Sequence, residues 1–137
     1  MNINIIYWSG TGNTENMANF IKEGAESCGA IVTVRNVSEA DEKDIEGYDV
    51  VCFGCPSMGA ENLEESEFEP FIESIEPIVS GKKIALFGSY GWGDGQWMRE
   101  WSERMVNAGA MLVQEGLIVN DAPEGEECKE FGVKITK

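Results

Sequence analysis

The turn Ser9-Gly10-Thr11-Gly12-Asn13-Thr14 joins an apolar segment, residues 3–7, to a stretch with helical periodicity. The apolar residues of that stretch recur at intervals of three and four, which is typical of an amphipathic helix; they are Met17, Ala18, Ile21 and Ala25. Glycines let the backbone of such a turn approach a ligand closely, while hydroxyls and the N–H groups at a helix start attract an anion. This strand, turn and helix therefore predict a phosphate-binding loop.

Two better-known phosphate-binding motifs do not match this turn. A Walker loop requires a Lys after its second Gly, and the turn contains no Lys. The dinucleotide fingerprint requires a third Gly at the position that Glu15 occupies. Because no cation and no obvious magnesium ligand stand nearby, we expect the loop to hold a phosphate group and not to transfer one.

The alternation of strand and helix continues along the chain. Further strands are predicted at residues 31–34, 50–55, 84–87 and about 111–119. Helical periodicity marks the segments around 68–75, around 97–108 and from about 124 to 135, whereas residues 38–47 favour a weak helix at best. Pro70 is compatible only with the first turn of its helix, and Trp97 and Trp101, one turn apart, are predicted core residues.

This pattern predicts an α/β fold in a single domain, residues 1–137. We expect a three-layer, doubly wound, five-stranded parallel sheet in the order 2-1-3-4-5, with helices on both faces. Ligands of such sheets bind beyond the carboxyl ends of the strands. The loops after strands 1, 3, 4 and 5 are therefore the predicted site.

The chain is strongly acidic, with 25 Asp and Glu against 10 Lys and Arg and a net charge of −15. Ten of the acids and no base lie between residues 44 and 81. This argues against binding to nucleic acid or to an anionic membrane. The acids either keep the protein soluble or also steer it toward partners with basic docking surfaces. With no apolar run long enough to span a bilayer and no signal peptide, we expect a cytoplasmic protein.

The cysteines do not predict a redox or metal site. Cys52 and Cys55 have the C-x-x-C spacing of a redox dithiol, but both lie in the predicted strand 50–55. Residues three apart on a strand point to opposite faces, so we expect buried, unreactive thiols. The chain has no His and no second pair of closely spaced cysteines, and we predict no metal site.

Four segments resemble the flavodoxin family, in its short-chain form. They are Y-W-S-G-T-G-N-T (7–14), G-C-P-S-M-G-A-E (54–61), L-E-E-S-E-F-E-P-F (63–71) and G-K-K-I-A-L-F-G-S-Y-G-W-G-D-G (81–95). The resemblance implies non-covalently bound FMN and a low-potential one-electron carrier that cycles through oxidised, neutral semiquinone and anionic hydroquinone states. It also implies a monomeric electron-transfer protein, not an enzyme, whose partners are redox proteins. Flavodoxin is itself the standard example of the 2-1-3-4-5 order, so the resemblance and the predicted order are not independent.

The resemblance further implies roles for three loops, which we name the first loop (residues 9–14), the third loop (56–61) and the fourth loop (89–93). The first would hold the FMN phosphate, while Met58 and Trp92 would cover the two faces of the flavin ring. Glu61 would meet flavin N3–H, and the Gly59 carbonyl would turn toward N5 on reduction. The implied cofactor-binding residues are Ser9, Gly10, Thr11, Gly12, Asn13, Thr14, Pro56, Ser57, Met58, Gly59, Ala60, Glu61, Ser89, Tyr90, Gly91, Trp92, Gly93 and Asn120.

One position departs from the family pattern. The residue after the Gly of the redox-tuning turn is often Asp, Asn or Gly, and here it is Ala60. A type II turn would place positive φ at this residue, which Ala resists by about 1 kcal/mol. We therefore expect weaker semiquinone stabilisation than in a variant with Gly at this position.

Two other functions occur on related folds. An FMN-dependent NAD(P)H:quinone-type reductase needs a substrate pocket beside the flavin, and this chain has no spare segment to build one. A phosphoacceptor receiver needs acids after the first strand, where Trp8, Ser9 and Gly10 stand instead. The sequence leaves open whether Trp8 lines the site or only ends the strand.

Overall fold

A computed structural model describes all 137 residues of the chain. Its strands are β1 (Asn2–Tyr7), β2 (Ile31–Asn36), β3 (Val50–Gly54), β4 (Lys83–Tyr90), β5 (Met111–Leu112) and β6 (Leu117–Asn120). Its helices are α1 (Asn13–Glu26), α2 (Phe68–Ile75), α3 (Gln96–Asn107) and α4 (Gly125–Lys134). The strands pair in parallel in the order β2-β1-β3-β4-β5, and β6 also pairs with β4. The predicted doubly wound order is confirmed.

The predicted continuous strand at about 111–119 is wrong. β5 pairs with the start of β4 at Lys83 and Ile84, and β6 pairs with its end, from Phe87 to Tyr90. Residues 113–116 separate the two short strands. They include Gly116, where a Cβ would lie 2.6 Å from the Met98 sulfur, and a Gly weakens strand pairing because it packs no side chain. The carboxyl end of β6 nevertheless reaches the predicted site.

The acidic stretch 38–47 contains only short 3₁₀ turns. These span Val37–Glu39 and Glu42–Ile45, and Asp41 caps the second by accepting a hydrogen bond from the Lys43 N–H. The buried Asn4 side chain, at the centre of β1, donates to the Asp44 carbonyl at 2.9 Å. The stretch is therefore held by the sheet and not by helix formation of its own.

Two apolar layers fill the space on the two faces of the sheet. The layer under α1 and α4 contains Ile5 and Cys52, and the layer under α2 and α3 contains Ile6 and Cys55. Neighbouring residues of β1 alternate between the layers, as the period of two requires. Burial raises the pKa of both thiols, Cys52 and Cys55, to about 12. The prediction of buried thiols on opposite faces is confirmed.

The two Trp residues of α3 pack against the sheet as their spacing predicted. Trp97 and Trp101 are each 2% exposed. The Trp101 ring meets the Phe68 ring edge-on at 5.4 Å, and the Trp97 indole N–H donates to the Cys55 carbonyl at 3.2 Å. Pro70 occupies the first turn of α2, as expected. These contacts fix α2 and α3 behind the third and fourth loops.

Helices α1 and α4 contact each other through their backbones. A Cβ at Gly24 would lie 2.0 Å from the Lys129 carbonyl oxygen, and a Cβ at Gly132 would lie 2.2 Å from the Ile21 carbonyl oxygen. Only glycine fits at such distances. This contact holds α1, and with it the first loop, against the rest of the molecule.

Candidate cofactor site

An open cavity of about 240 Å³ lies at the carboxyl ends of β1, β3, β4 and β6. Eleven residues line it: Trp8, Gly10, Thr11, Asn13, Pro56, Ser57, Met58, Ser89, Tyr90, Gly91 and Asp121. Backbone hydrogen bonds join the surrounding loops, from Ser57 N–H to the Ser89 carbonyl at 2.9 Å and from Asp121 N–H to the Tyr90 carbonyl at 2.8 Å. The cavity lies where ligands of doubly wound sheets bind.

The first loop presents unpaired N–H groups and hydroxyls at the start of α1. The Ser9 hydroxyl oxygen accepts from the Gly12 and Glu15 N–H groups at 3.1 and 3.3 Å. The N–H groups of Gly10, Thr11 and Thr14 donate to no group of the protein. No Lys or Arg lines the cavity, so an anion here would meet neutral donors and the positive end of the α1 dipole.

Two residues with predicted cofactor contacts pair with each other. The Thr14 and Ser89 hydroxyl oxygens lie 3.1 Å apart, and the two residues are 1% and 5% exposed. This hydrogen bond connects the first turn of α1 to the end of β4. Ser89 also lines the cavity, whereas Thr14 does not.

The third loop forms a tight turn, and its positive φ angles fall on residues other than Ala60. Met58 and Asn62 exchange two backbone hydrogen bonds of 2.8 Å across it. The positive φ angles are 52° at Gly59 and 58° at Glu61, and Ala60 has none. The expectation of positive φ at Ala60 is therefore wrong in this conformation, because the turn closes around three residues and its left-handed positions are the first and the third.

Two glutamates anchor the third loop and the residues just after it. The Glu61 carboxylate, in a residue only 9% exposed, accepts from the Gln96 N–H at the start of α3 at 3.0 Å. The Glu64 carboxylate accepts from the Ser66 hydroxyl and from the N–H groups of Ser66, Glu67 and Phe68 at the start of α2. Burial alone raises the pKa of Glu64, but these hydrogen bonds outweigh it and lower the pKa to about 2.

The fourth loop contributes Ser89, Tyr90 and Gly91 to the wall of the cavity, and Trp92 follows them in the chain. The Tyr90 ring lines the cavity and packs on the Trp97 ring at 5.6 Å. Trp92 is 64% exposed and is not among the lining residues. A large apolar side chain that is this exposed beside a cavity is available to cover a ligand.

The structure adds two lining residues to those predicted. Trp8 lines the cavity, and its ring would lie 3.0 Å from a Cβ at Gly10. Asp121 lines it with positive φ, 57°, and its carboxylate is the only charged group among the lining residues. Predicted Asn120 lies beside it outside the lining, with its side chain donating to the Tyr90 carbonyl at 3.3 Å. A polar residue directly after the last strand was the one sequence signal for Asp121.

Of the other predicted residues, some reach the cavity and some do not. Those that line it are Gly10, Thr11, Asn13, Pro56, Ser57, Met58, Ser89, Tyr90 and Gly91. Those outside the lining are Ser9, Gly12, Thr14, Gly59, Ala60, Glu61, Trp92, Gly93 and Asn120. All members of the second group except Asn120, which ends β6, belong to the same three loops.

Comparison with known proteins places this sequence and fold in one class. The sequence model of the flavodoxin family matches residues 5–132. The flavodoxin of Clostridium beijerinckii is 53% identical, over 96% of each chain, and that of Megasphaera elsdenii is 45% identical, over 98% of each. The solution structure of two-electron reduced M. elsdenii flavodoxin superposes with a TM-score of 0.91 over 97% of each chain.

A doubly wound α/β protein with these similarities is an FMN-binding electron carrier, not an enzyme. The chain belongs to the flavodoxin family. The C. beijerinckii and M. elsdenii relatives are both named flavodoxins, and nothing in them favours the reductase alternative. No helix of the structure is both long enough and apolar enough to cross a membrane.

Proposed function

We propose that the cavity at the carboxyl ends of the strands holds FMN, with its phosphate on the first loop. The observation that carries the proposal is the set of unpaired donors there: the N–H groups of Gly10, Thr11 and Thr14 have no protein acceptor. Thr11 and Asn13 of the same loop line the cavity. Neutral donors at a helix start suit a phosphate group that is held and not transferred.

The flavin ring would lie between the third and fourth loops. Met58 and Tyr90 line the cavity from these two loops, and the exposed Trp92 at the rim is free to cover the outer face. The remaining implied contacts, those of Gly59, Ala60, Glu61, Gly93 and Asn120, belong to the same two loops and to the end of β6. When bound, FMN supplies reversible one-electron chemistry.

The charges around the cavity favour a low reduction potential. Its phosphate-binding end offers no cation, and its one charged lining group is the Asp121 carboxylate. A negative field disfavours the addition of an electron to a group within it. The chain would therefore bind the cofactor without placing a positive charge beside the electron that the cofactor gains.

The acidic surface would meet basic docking surfaces on redox partner proteins. Net charge is −15, and the exposed Glu65 and Glu67 lie four and six residues after the end of the third loop. We further propose a monomeric, cytoplasmic, single-domain carrier with no nucleic-acid or membrane partner. Electron transfer to a basic partner should slow as ionic strength rises, and a rate independent of salt would contradict docking by charge.

Titration of FMN-depleted protein with FMN and with riboflavin tests the phosphate assignment. Thr11→Ala and Asn13→Ala should each weaken FMN binding about tenfold or more and leave riboflavin binding nearly unchanged, because riboflavin lacks the phosphate. The matched control is Thr33→Ala, on β2 away from the cavity. Equal losses for both ligands, or a wild-type protein that binds neither, would contradict the proposal.

A further inference from the structure

Helix α3 takes its N-terminal cap from a distant loop. Its own N-cap residue is Gly95, with φ 90° and no capping side chain, and its first turn contains no acid. The Glu61 carboxylate, 35 residues earlier, accepts from the Gln96 N–H at 3.0 Å. An anion at a helix start pairs with the positive end of the dipole and satisfies a donor that has no partner within the helix.

The fit between the two loops around this carboxylate is tight. A Cβ at Gly93 would lie 2.6 Å from Glu61 Cδ and from Oε1. Glu61 is 9% exposed and adopts φ 58°, which a residue other than Gly rarely does. A backbone in that conformation persists only where surrounding contacts hold it, and here those contacts come from the fourth loop and α3.

Other contacts hold the remainder of the third loop and the residues that follow it. Met58 and Asn62 close the turn through their two backbone hydrogen bonds. Beyond them the Glu64 carboxylate is bound to the start of α2. The Ser57 N–H donates to the Ser89 carbonyl and joins the two loops through their backbones next to the strand ends. At the tip of the turn, Glu61 is the residue whose side chain reaches across to α3.

We infer that Glu61 is a positioning residue whose carboxylate couples the third loop to the fourth loop and α3, so that the two walls of the cofactor cavity move as one unit. This role is separate from any contact of its second oxygen with the cofactor. It rests on the proposed function only in assigning those two walls to FMN. The hydrogen bond itself requires no ligand.

Amide hydrogen exchange on the FMN-loaded protein tests the coupling. Glu61→Ala should lower protection of the Gln96 and Asn62 amides at least tenfold, since the first loses its acceptor and the second its anchored turn. Glu61→Gln keeps an acceptor oxygen and should keep both amides within about threefold of wild type. Glu65→Ala removes an exposed acid four residues on and should change neither amide.

A substitution in the fourth loop tests the reverse direction, since coupling between two sites is reciprocal. Gly93→Ala displaces the Glu61 carboxylate and should lower protection at Asn62 although the change lies in the other loop. Gly81→Ala also forces a side chain onto positive φ, 79°, but has no neighbour within 4 Å, and it should leave Asn62 unchanged. Unchanged Asn62 protection in Gly93→Ala, or unchanged Gln96 protection in Glu61→Ala, would overturn the inference.

Titration with FMN separates this inference from the proposed function. If the walls are coupled, Gly93→Ala should weaken binding of FMN and of riboflavin by the same factor, because both contain the flavin ring. Loss of exchange protection without any loss of flavin affinity would show that the coupled loops are not the cofactor walls. Wild-type affinity together with unchanged protection would overturn the coupling and leave the FMN site intact.

Discussion

The hydroxyl groups of Thr14 and Ser89 lie 3.1 Å apart in the interior, one in the first turn of α1 and the other at the end of β4. The two residues are 75 positions apart in the chain, and they are 1% and 5% exposed. The start of the helix that carries the first loop is therefore positioned by the strand that leads into the fourth loop.

Thr14→Val should lower the free energy of unfolding by about 1 kcal/mol, because it removes the hydrogen bond that joins the start of α1 to the end of β4. Ser89→Ala should have an effect of the same sign and size. The double substitution should cost less than the sum of the two, with a coupling of about 1 kcal/mol, measured by urea denaturation of FMN-depleted protein. Strict additivity would show that the hydroxyl pair contributes nothing.

Gly132→Ala should destabilise the protein by about 3 kcal/mol or more, on the order of the strongest single-residue effects, or prevent folding. The added Cβ would lie 2.2 Å from the Ile21 carbonyl oxygen and would force α1 and α4 apart. Gly29→Ala is the matched control, since its Cβ meets nothing within 4 Å and its φ of 87° costs only about 1 kcal/mol. Thermal and urea unfolding of both variants check the difference, and equal losses would refute the close contact.

Glu64→Ala should lower the free energy of unfolding by about 2 kcal/mol at pH 7, because it removes the cap of α2. The folded pKa of Glu64, about 2, lies below the value of 4.5 for a free side chain. Its contribution is therefore complete above about pH 4.5 and is lost as the pH falls toward 2.

The difference between wild type and Glu64→Ala should accordingly shrink over that pH window. Urea denaturation at several pH values between 7 and 3 measures it, with Glu65→Ala as the exposed control. A difference that stays constant down to pH 3 would contradict the lowered pKa.

Asp121→Asn should raise the midpoint potential of the FMN-loaded protein for the addition of the second electron. The substitution removes the one charged group that lines the cavity and keeps a residue that tolerates positive φ. The shift should be on the order of 20 mV, the size expected for a unit charge acting through solvent. Spectroelectrochemical titration checks this against Glu124→Gln, an exposed acid outside the cavity; equal shifts would mean that only net charge matters.

The elements of the fold could be predicted because each has its own local signal. Apolar runs of β1, β3 and β4 and the helical spacing in α1 and α3 led to the correct elements and sheet order. The single fifth strand was wrong because the interruption at 113–116, where Gly116 packs against Met98 of α3, is not recorded in the periodicity of the sequence. The first loop was predicted from its Gly and hydroxyl residues, and the third and fourth loops from their place after the strands and from the family resemblance. The φ angles of Ala60 and Glu61 could not be predicted, because they depend on how the turn closes.

Residue pattern alone was enough to establish the Gly- and hydroxyl-rich first loop, the alternation of strand and helix, the burial of Cys52 and Cys55 and the acidity of the chain. These follow from residue type and spacing within single segments. Three further features emerge only from the folded chain: Thr14 bonds to Ser89, Glu61 caps α3 and Asp121 lines the cavity. Each of these depends on the juxtaposition of residues far apart in the chain, and that juxtaposition exists only once parallel strands bring their carboxyl ends to one edge of the sheet.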